Sequence, residues 1–228
     1  MQACILKNVT ASLPPESPAA ERVYAQTKES ILSGQIPGGT LLSEAEVARR
    51  LEVSRTPARE AFVRLAAEGL LSLLPRRGAV VTPLAPTDAV DVLEVRHALE
   101  TAAVSRLARL DTPSRTYRLS AAAETIETQA ACLAADDISG FITADEQFHF
   151  QLVKAAHNNL AITVYATLGD RQRRMTALAI SVNGERLAHF VPEHRQLLEL
   201  ARRGDPAGFS ATLTDHLRST HAVLAPSL

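Results

Sequence analysis

Four side chains in the second half of the chain are of the types that hold metal ions. Asp145 and His149, in ADEQFHF, stand four residues apart, so on a helix they share one face. His194, in PEHRQLLEL, and His216, in TDHLRST, follow on two later helical stretches. One carboxylate and three imidazoles meeting inside a helical bundle would make an N/O donor set for a divalent transition metal such as Zn²⁺, Ni²⁺, Mn²⁺ or Fe²⁺. Spacing alone leaves two plainer readings open: a surface Asp–His pair one turn apart, or core histidines satisfied by hydrogen bonds. His97, His157, His189 and His221 have no comparable partner pattern and are expected at the surface or its boundary.

A second stretch, VSRTPAREAFVRL at 53–65, carries chemistry of another kind. Ser54 can cap a helix, and Pro57 falls in the first turn, where a missing N–H costs nothing. Phe62, Leu65 and Ala66 then share one face, and the first turn projects Arg55, Thr56 and Arg59, side chains suited to phosphate oxygens and base edges. A solvated helix start has the same composition, so the neighbouring elements must decide.

Those neighbours read as a helix-turn-helix. A first helix runs from about Glu21 to Ser33, burying Val23, Tyr24, Thr27, Ile31 and Leu32, with Gly34 closing it. Ser43 and Glu46 are spaced as a capping box for a second helix through Leu51, and the short turn LEVS leads into the arginine helix. LLSLLPRRGAVVTPL then holds two apolar runs around Pro75-Arg76-Arg77-Gly78, a hairpin with a basic tip. Helix-turn-helix plus hairpin is a winged helix, whose second helix enters the major groove while the wing lies on the backbone or minor groove. Arg76, Arg77 and Gly78 would form the wing tip.

The whole is mainly α, a winged helix-turn-helix followed by an all-helical antiparallel bundle. Residues 1–20 read as a disordered arm, 21–83 as the winged domain and 84–228 as the bundle. Six bundle helices are expected, near 87–109, 113–135, 137–156, 158–181, 185–203 and 206–224, with prolines at or near four of the starts and Asp205 capping the last. Arg96, in LEVRHALE, has Glu100 one turn on, which suggests an intrahelical ion pair; an interior arginine forking onto a ligand carboxylate is the other reading. Arg171, Arg173 and Arg174, in GDRQRRM, are expected to be solvated or at a dimer edge.

Charge agrees with this division. Residues 21–83 hold 9 Lys/Arg against 7 Asp/Glu, whereas 84–228 hold 14 against 17, so the positive excess lies with the arginine helix. No apolar run is long enough to span a membrane, and the N-terminus is a poor signal peptide. Two distant cysteines, Cys4 and Cys132, fit a reduced cytoplasm.

These motifs resemble a known family. VARRLEVSRTPAREAFVRLAAEGLLSLLPRRGAVV looks like the winged-helix domain of GntR-family bacterial transcription regulators, and the C-terminal half resembles the FCD effector domain of its FadR subfamily. The six helices look like the shorter, VanR-like branch. The resemblance implies that Arg55, Thr56 and Arg59 touch operator DNA, with Arg77 and Gly78 at the wing tip. It also implies that Asp145, His149, His194 and His216 are metal ligands, and that Arg96 and Asn158 lie in the effector pocket. One departure is SEAEV, where family members often have arginine at the place of Ala45; a DNA contact is missing there.

The expected function is thus a homodimeric regulator, acting as a repressor, that binds pseudo-palindromic double-stranded operator DNA. A small carboxylate effector, anchored on the metal, controls its affinity. Two other readings use the same ligands: a metal-dependent hydrolase with a tethered nucleic-acid module, and a regulator whose metal is only structural. No acidic residue is spaced as a base beside the ligands, as in H-E-x-x-H, which counts against the hydrolase.

Overall fold

A computed structural model describes residues 18–224. The expected arm therefore lies outside the described residues, except for residues 18–20, which already belong to the first helix. That helix, α1 (Pro18–Leu32), buries Val23, Tyr24, Thr27, Ile31 and Leu32, the stripe expected from its 3.6-residue period. Gly34, at φ 77°, ends it. A two-residue strand β1 (Leu41–Leu42), then α2 (Glu44–Arg50) and α3 (Arg55–Ala67), precede the hairpin β2 (Leu71–Leu74) and β3 (Gly78–Val81). The sheet is antiparallel in the order β1-β3-β2, with Leu42 opposite Ala79 and Leu71 opposite Val81. β1 was not expected, since two residues are too few to show an alternating pattern.

Phe62 and Leu65 of α3 pack with Val23, Ile31, Val47, Leu71 and Val81 into the winged domain's own core. The hydroxyls of Ser43 and Ser54 make no capping hydrogen bond, so the box expected from Ser43 and Glu46 does not form. Ser43 acts through its backbone instead: its carbonyl accepts from the amides of Glu46 and Val47 at 3.1 and 3.0 Å.

The second half is helical throughout: α4 (Pro86–Leu107), α5 (Thr112–Arg118), α6 (Ser120–Ala134), α7 (Ile138–Ala155), α8 (Asn159–Ala166), α9 (Gly169–Val182), α10 (Leu187–Arg203) and α11 (Pro206–His221). Eight α-helices stand among the described residues of this half where six were expected, because two of the six are broken. The stretch 113–135 turns at Leu119, whose fully buried side chain is drawn into the core while its backbone leaves helical geometry at φ −87°, ψ 3°. The stretch 158–181 breaks at Thr167-Leu168, where the chain passes close to α7: a Cβ on Gly169 would lie 3.2 Å from Glu146 Oε1. Pro192, expected near a helix start, lies within α10. Asp111, Asp137, Asn158 and Asp205 cap their helices, each accepting from a first-turn amide.

The two halves meet along α1 and α9. Glu29 accepts from Arg173 Nη2 at 2.7 and 2.8 Å and from Ser139 Oγ at 2.7 Å. Lys28 Nζ lies 2.7 Å from Asp170 and 2.8 Å from Glu68, and Arg174 donates to the Thr82 carbonyl. The arginine cluster expected to be solvated or at a dimer edge is instead largely an interdomain contact. Helical spacing explains why: residues 170, 173, 174 and 177 share one face of α9, and Ala177 on it lies against Gly34.

Candidate metal centre and nucleic-acid interface

Three helices of the bundle aim imidazoles at one point. His149 comes from α7, His194 from α10 and His216 from α11, all buried, and one nitrogen of each lies within 4.8 Å of the others. The opposite nitrogen of every ring is tied down. Nδ1 of His149 meets Glu100 Oε2, Nδ1 of His194 meets Gln129 Oε1 and Nδ1 of His216 meets Glu193 Oε2, each at 2.7 Å. An oxygen acceptor at Nδ1 places the proton there and leaves the Nε2 lone pair free, the arrangement that orients metal-binding histidines. Among the described residues, Nε2 of His149 and of His194 has no hydrogen-bond partner although fully buried. Such orphaned acceptors are costly, and a cation among them would satisfy both. The donor set therefore fits a metal.

Burial, reinforced by the positive charges nearby, holds His149 and His194 well below the ordinary imidazole pKa and keeps both rings neutral. Phe148 stacks on His194 with centroids 4.3 Å apart, and Phe190 closes the site edge-on. Asp145 is buried beside the group, its Oδ1 3.5 Å from His194 Nε2. It stands at the edge of the cluster, because Gln129 reaches one of its oxygens at 3.4 Å and Thr176 donates to the other at 3.1 Å.

Glu100 is the hub of the surrounding polar network. It accepts from His149, from Tyr165 Oη at 2.6 Å and from Arg96 Nε at 3.2 Å. Burial pushes its pKa up, Arg96 and Tyr165 pull it back, and three donors around it are what an ionised carboxylate accommodates. Burial opposes the charge of Arg96, but Tyr165, Glu100 and Asp145 outweigh it and raise the guanidinium's pKa. Arg96 thus makes the intrahelical pair with Glu100 and is also interior, with Nη2 unpartnered.

Several supporting residues had no sequence signal. Gln129, Glu193, Tyr165 and Gln172 carry no recognisable spacing relative to the histidines. His221 corrects an expectation outright: it is not at the surface but 1% exposed, on α11 five residues past His216. Asn158 is exposed and caps α8, its side chain accepting from Ala161 N at 3.3 Å, a local role that accounts for asparagine there.

Most of the expected DNA-facing residues come together between α3 and the wing. Arg55, Thr56 and Arg59 are exposed on the first turns of α3, and Arg76 and Arg77 are exposed at the wing tip. Arg55, Arg59, Arg76, Arg77 and Gly78 line one open groove between helix and wing, with Ala45 on the same wall. Four guanidinium groups on one groove form an electrostatic footprint for a phosphate backbone. Gly78 has a structural reason of its own: at φ 99°, a Cβ there would stand 2.1 Å from the Leu42 carbonyl oxygen.

The two halves match two family models, the gntR family of bacterial regulatory proteins over residues 19–81 and the FCD domain over residues 91–219. The chain belongs to the GntR family, with an FCD domain as its second half. An uncharacterised HTH-type transcriptional regulator from the TAR-I ttuE-ttuC' intergenic region of Agrobacterium vitis is 38% identical over 58% of this chain and 78% of its own length. The HTH-type transcriptional repressor RspR of Escherichia coli K12 is 29% identical over 92% of this chain and 90% of its own. Among solved structures, a GntR regulator from Rhodococcus has the same fold, with a TM-score of 0.75 at 22% identity, covering 93% of this chain and 100% of its own. This GntR–FCD protein is a transcription regulator and not an enzyme, which removes the hydrolase reading. No helix among the described residues is long and apolar enough to cross a membrane.

Proposed function

We propose that this GntR–FCD chain is a homodimeric repressor whose affinity for operator DNA is set by a small carboxylate effector bound at a metal centre. The observation that carries the reading is the orientation of the three histidines: every Nδ1 is tied to an oxygen, and two buried Nε2 atoms have no partner. Asp145, His149, His194 and His216 would hold the ion, and a mixed N/O set suits Zn²⁺, Ni²⁺, Mn²⁺ or Fe²⁺. When bound, the metal supplies a Lewis-acidic anchor for a carboxylate oxygen, and Arg96 supplies a buried positive charge beside it. A purely structural ion would leave the unpartnered guanidinium nitrogen of Arg96 without a role.

On DNA, α3 of each protomer would enter the major groove of one half-site while Arg76 and Arg77 neutralise phosphates. That the E. coli relative is named a repressor supports repression as the sign of control. The test is selection of duplexes from a random library by the full chain, metal-loaded and chelated in parallel. An enriched inverted repeat is expected, with half-sites about one helical turn apart. Its affinity is expected to change on adding a carboxylic acid to the loaded protein only. No enriched repeat, or a response to acid that survives chelation, would overturn the reading.

A further inference from the structure

A cleft runs along the junction of the two halves, and none of the histidines or wing arginines lines it. One wall is the corner that follows α1, residues 33–38, together with the linker after β3; the other is α9, with Ile138 of α7 beside it. The corner touches its neighbours at two points. A Cβ on Gly34 would lie 3.2 Å from Ala177 Cβ, and one on Gly38 would lie 2.9 Å from Pro83 Cα. Between those contacts the walls separate and leave a cavity of about 360 Å³. Helical spacing sets Arg174, Leu178 and Ser181 on the stripe of α9 that faces it.

The lining is apolar except at one end. Ile31, Ile36, Ile138, Leu178 and Ile180 supply the walls, and Arg174 is the only charged residue among those that line it. Its Nη2 donates to the carbonyl of Thr82, the residue before Pro83, which sets the guanidinium at the linker end. Lys28 and Arg173 at the same junction are paired with Asp170 and Glu29, but among the described residues no carboxylate forms an ion pair with Arg174. Burial and the neighbouring Arg171 act against its charge, and Asp170 offsets them only in part. An anion forking onto the guanidinium would relieve that cost. Small-molecule sites favour domain interfaces and take this form, an apolar cavity with a few placed polar groups. A cation is excluded by Arg174, and a polyhydroxylated molecule would bury its hydroxyls against isoleucine side chains.

We propose that this cleft is a second ligand site, and that it takes a compact amphipathic monoanion, a fused ring pair or medium alkyl chain ending in one carboxylate, with the acid on Arg174. A molecule seated there touches the corner of the DNA-binding half and α9 of the bundle together. It therefore favours the arrangement in which those two face each other. The site stands apart from the metal centre and needs neither its ion nor its effector.

The test is calorimetric titration of the chelated full chain with 2-naphthoate and octanoate, each beside its neutral primary amide. At least one acid is expected to bind about 10-fold more tightly than its amide, as a hydrogen bond to a charged group allows. Metal loading is expected to leave that binding step unchanged. Arg174→Met is expected to bring the acid down to the level of the amide. Leu178→Trp, at an exposed position of the cleft wall, is expected to fill the cavity and weaken the acid by about 10-fold or more. Binding of neither acid to the chelated chain overturns the inference, as does an amide that binds as well as its acid or an affinity that both substitutions leave intact. A parent dimer that falls apart in Leu178→Trp would give the cleft to a second copy of the chain and overturn it too. Melting curves identify a variant that does not fold, and the other variant with the amide comparison still decides.

Discussion

Replacing Glu100 by glutamine tests the logic of the buried network most directly. The change is isosteric and opens no cavity, so its effect is electrostatic. Glu100 is fully buried, and Arg96, 3.2 Å away, is 1% exposed. Removing one partner of a buried ion pair leaves the other charge uncompensated, which costs about 3–5 kcal/mol. Asp145 also acts on Arg96, which places the expected loss near the lower end, at about 3 kcal/mol. For a chain of this size that lowers the melting temperature by roughly 6–12 °C. Glu100 also fixes the Nδ1 proton of His149, so metal affinity is expected to fall by about 10–100-fold. The assay is chemical unfolding of the single variants Glu100→Gln and Arg96→Met and of the double variant. The double is expected to recover much of the loss, with a coupling of at least ~2 kcal/mol. A loss under about 1 kcal/mol for Glu100→Gln would mean that the native side chain is already a neutral acid, and the description of the network would be wrong.

Other consequences can be measured separately. Arg59→Ala is expected to weaken specific DNA binding by roughly 1–3 kcal/mol and, being exposed, to leave the melting temperature almost unchanged; operator affinity equal to wild type would refute the docking. Gly78→Ala is expected to disrupt the β1–β3 pairing, because its Cβ would stand 2.1 Å from the Leu42 oxygen at a φ of 99°; amide exchange at Ala79 and Val80 no faster than in the parent would contradict this. His149 and His194, held well below an ordinary pKa near 6.5 by burial, are already neutral at pH 6. Metal uptake there should draw almost no protons from these two rings, against roughly 1.5 from two ordinary histidines, as titration in buffers of differing ionisation enthalpy would show. By the same shifts the unfolded chain takes up protons below about pH 6.5 that these two rings cannot. The chelated protein should therefore lose up to ~1.4 kcal/mol per pH unit for each of them as pH falls, and a stability flat from pH 7 to 5.5 would exclude this. Glu29→Ala and Arg173→Ala are expected to couple by about 0.5–1 kcal/mol, a modest value because the Glu29 side chain is 46% exposed; strictly additive effects would refute the contact.

What could be read in advance follows how local each cause is. The buried stripe of α1 was legible because a helix facing one core shows its period in five side chains. The wing was legible because Pro75 and Gly78 bracket two arginines between apolar runs. The metal-ligand candidates were legible through Asp145 and His149, one turn apart on one helix, with His194 and His216 on two later helical stretches, and the family motif made the four an implied ligand set. The tethers of those histidines were not. Gln129 lies 65 residues from His194 and Glu100 lies 49 from His149, and nothing in either segment marks a glutamine or glutamate as bound for a distant ring. The breaks at Leu119 and Leu168 were hidden for a related reason: helical propensity continues through both, and tertiary packing turns the chain. His221 carries no partner pattern in sequence, and its Nδ1 has no hydrogen-bond partner among the described residues.

The fourteen residues of α9 join the site to the DNA-binding half. Gln172 and Thr176 lie on its buried side, where Thr176 donates to Asp145 Oδ2 at 3.1 Å. Asp170, Arg173 and Arg174 lie on another face and hold Lys28, Glu29 and Thr82. Arg173 and Thr176 are three residues apart, so less than one helical turn separates the carboxylate beside the histidines from the contact with α1. A helix this short moves as a unit, and a rotation that carries Thr176 away from Asp145 also turns Arg173 relative to Glu29. α1 in turn packs on α3 through the core around Phe62, and α3 carries Arg55 and Arg59. Each step in this sequence is a packed element or a hydrogen bond of known length, and the double-mutant cycle at Glu29 and Arg173 measures the first interdomain one. If their coupling energy is the same with and without metal, this route carries no signal between the two halves.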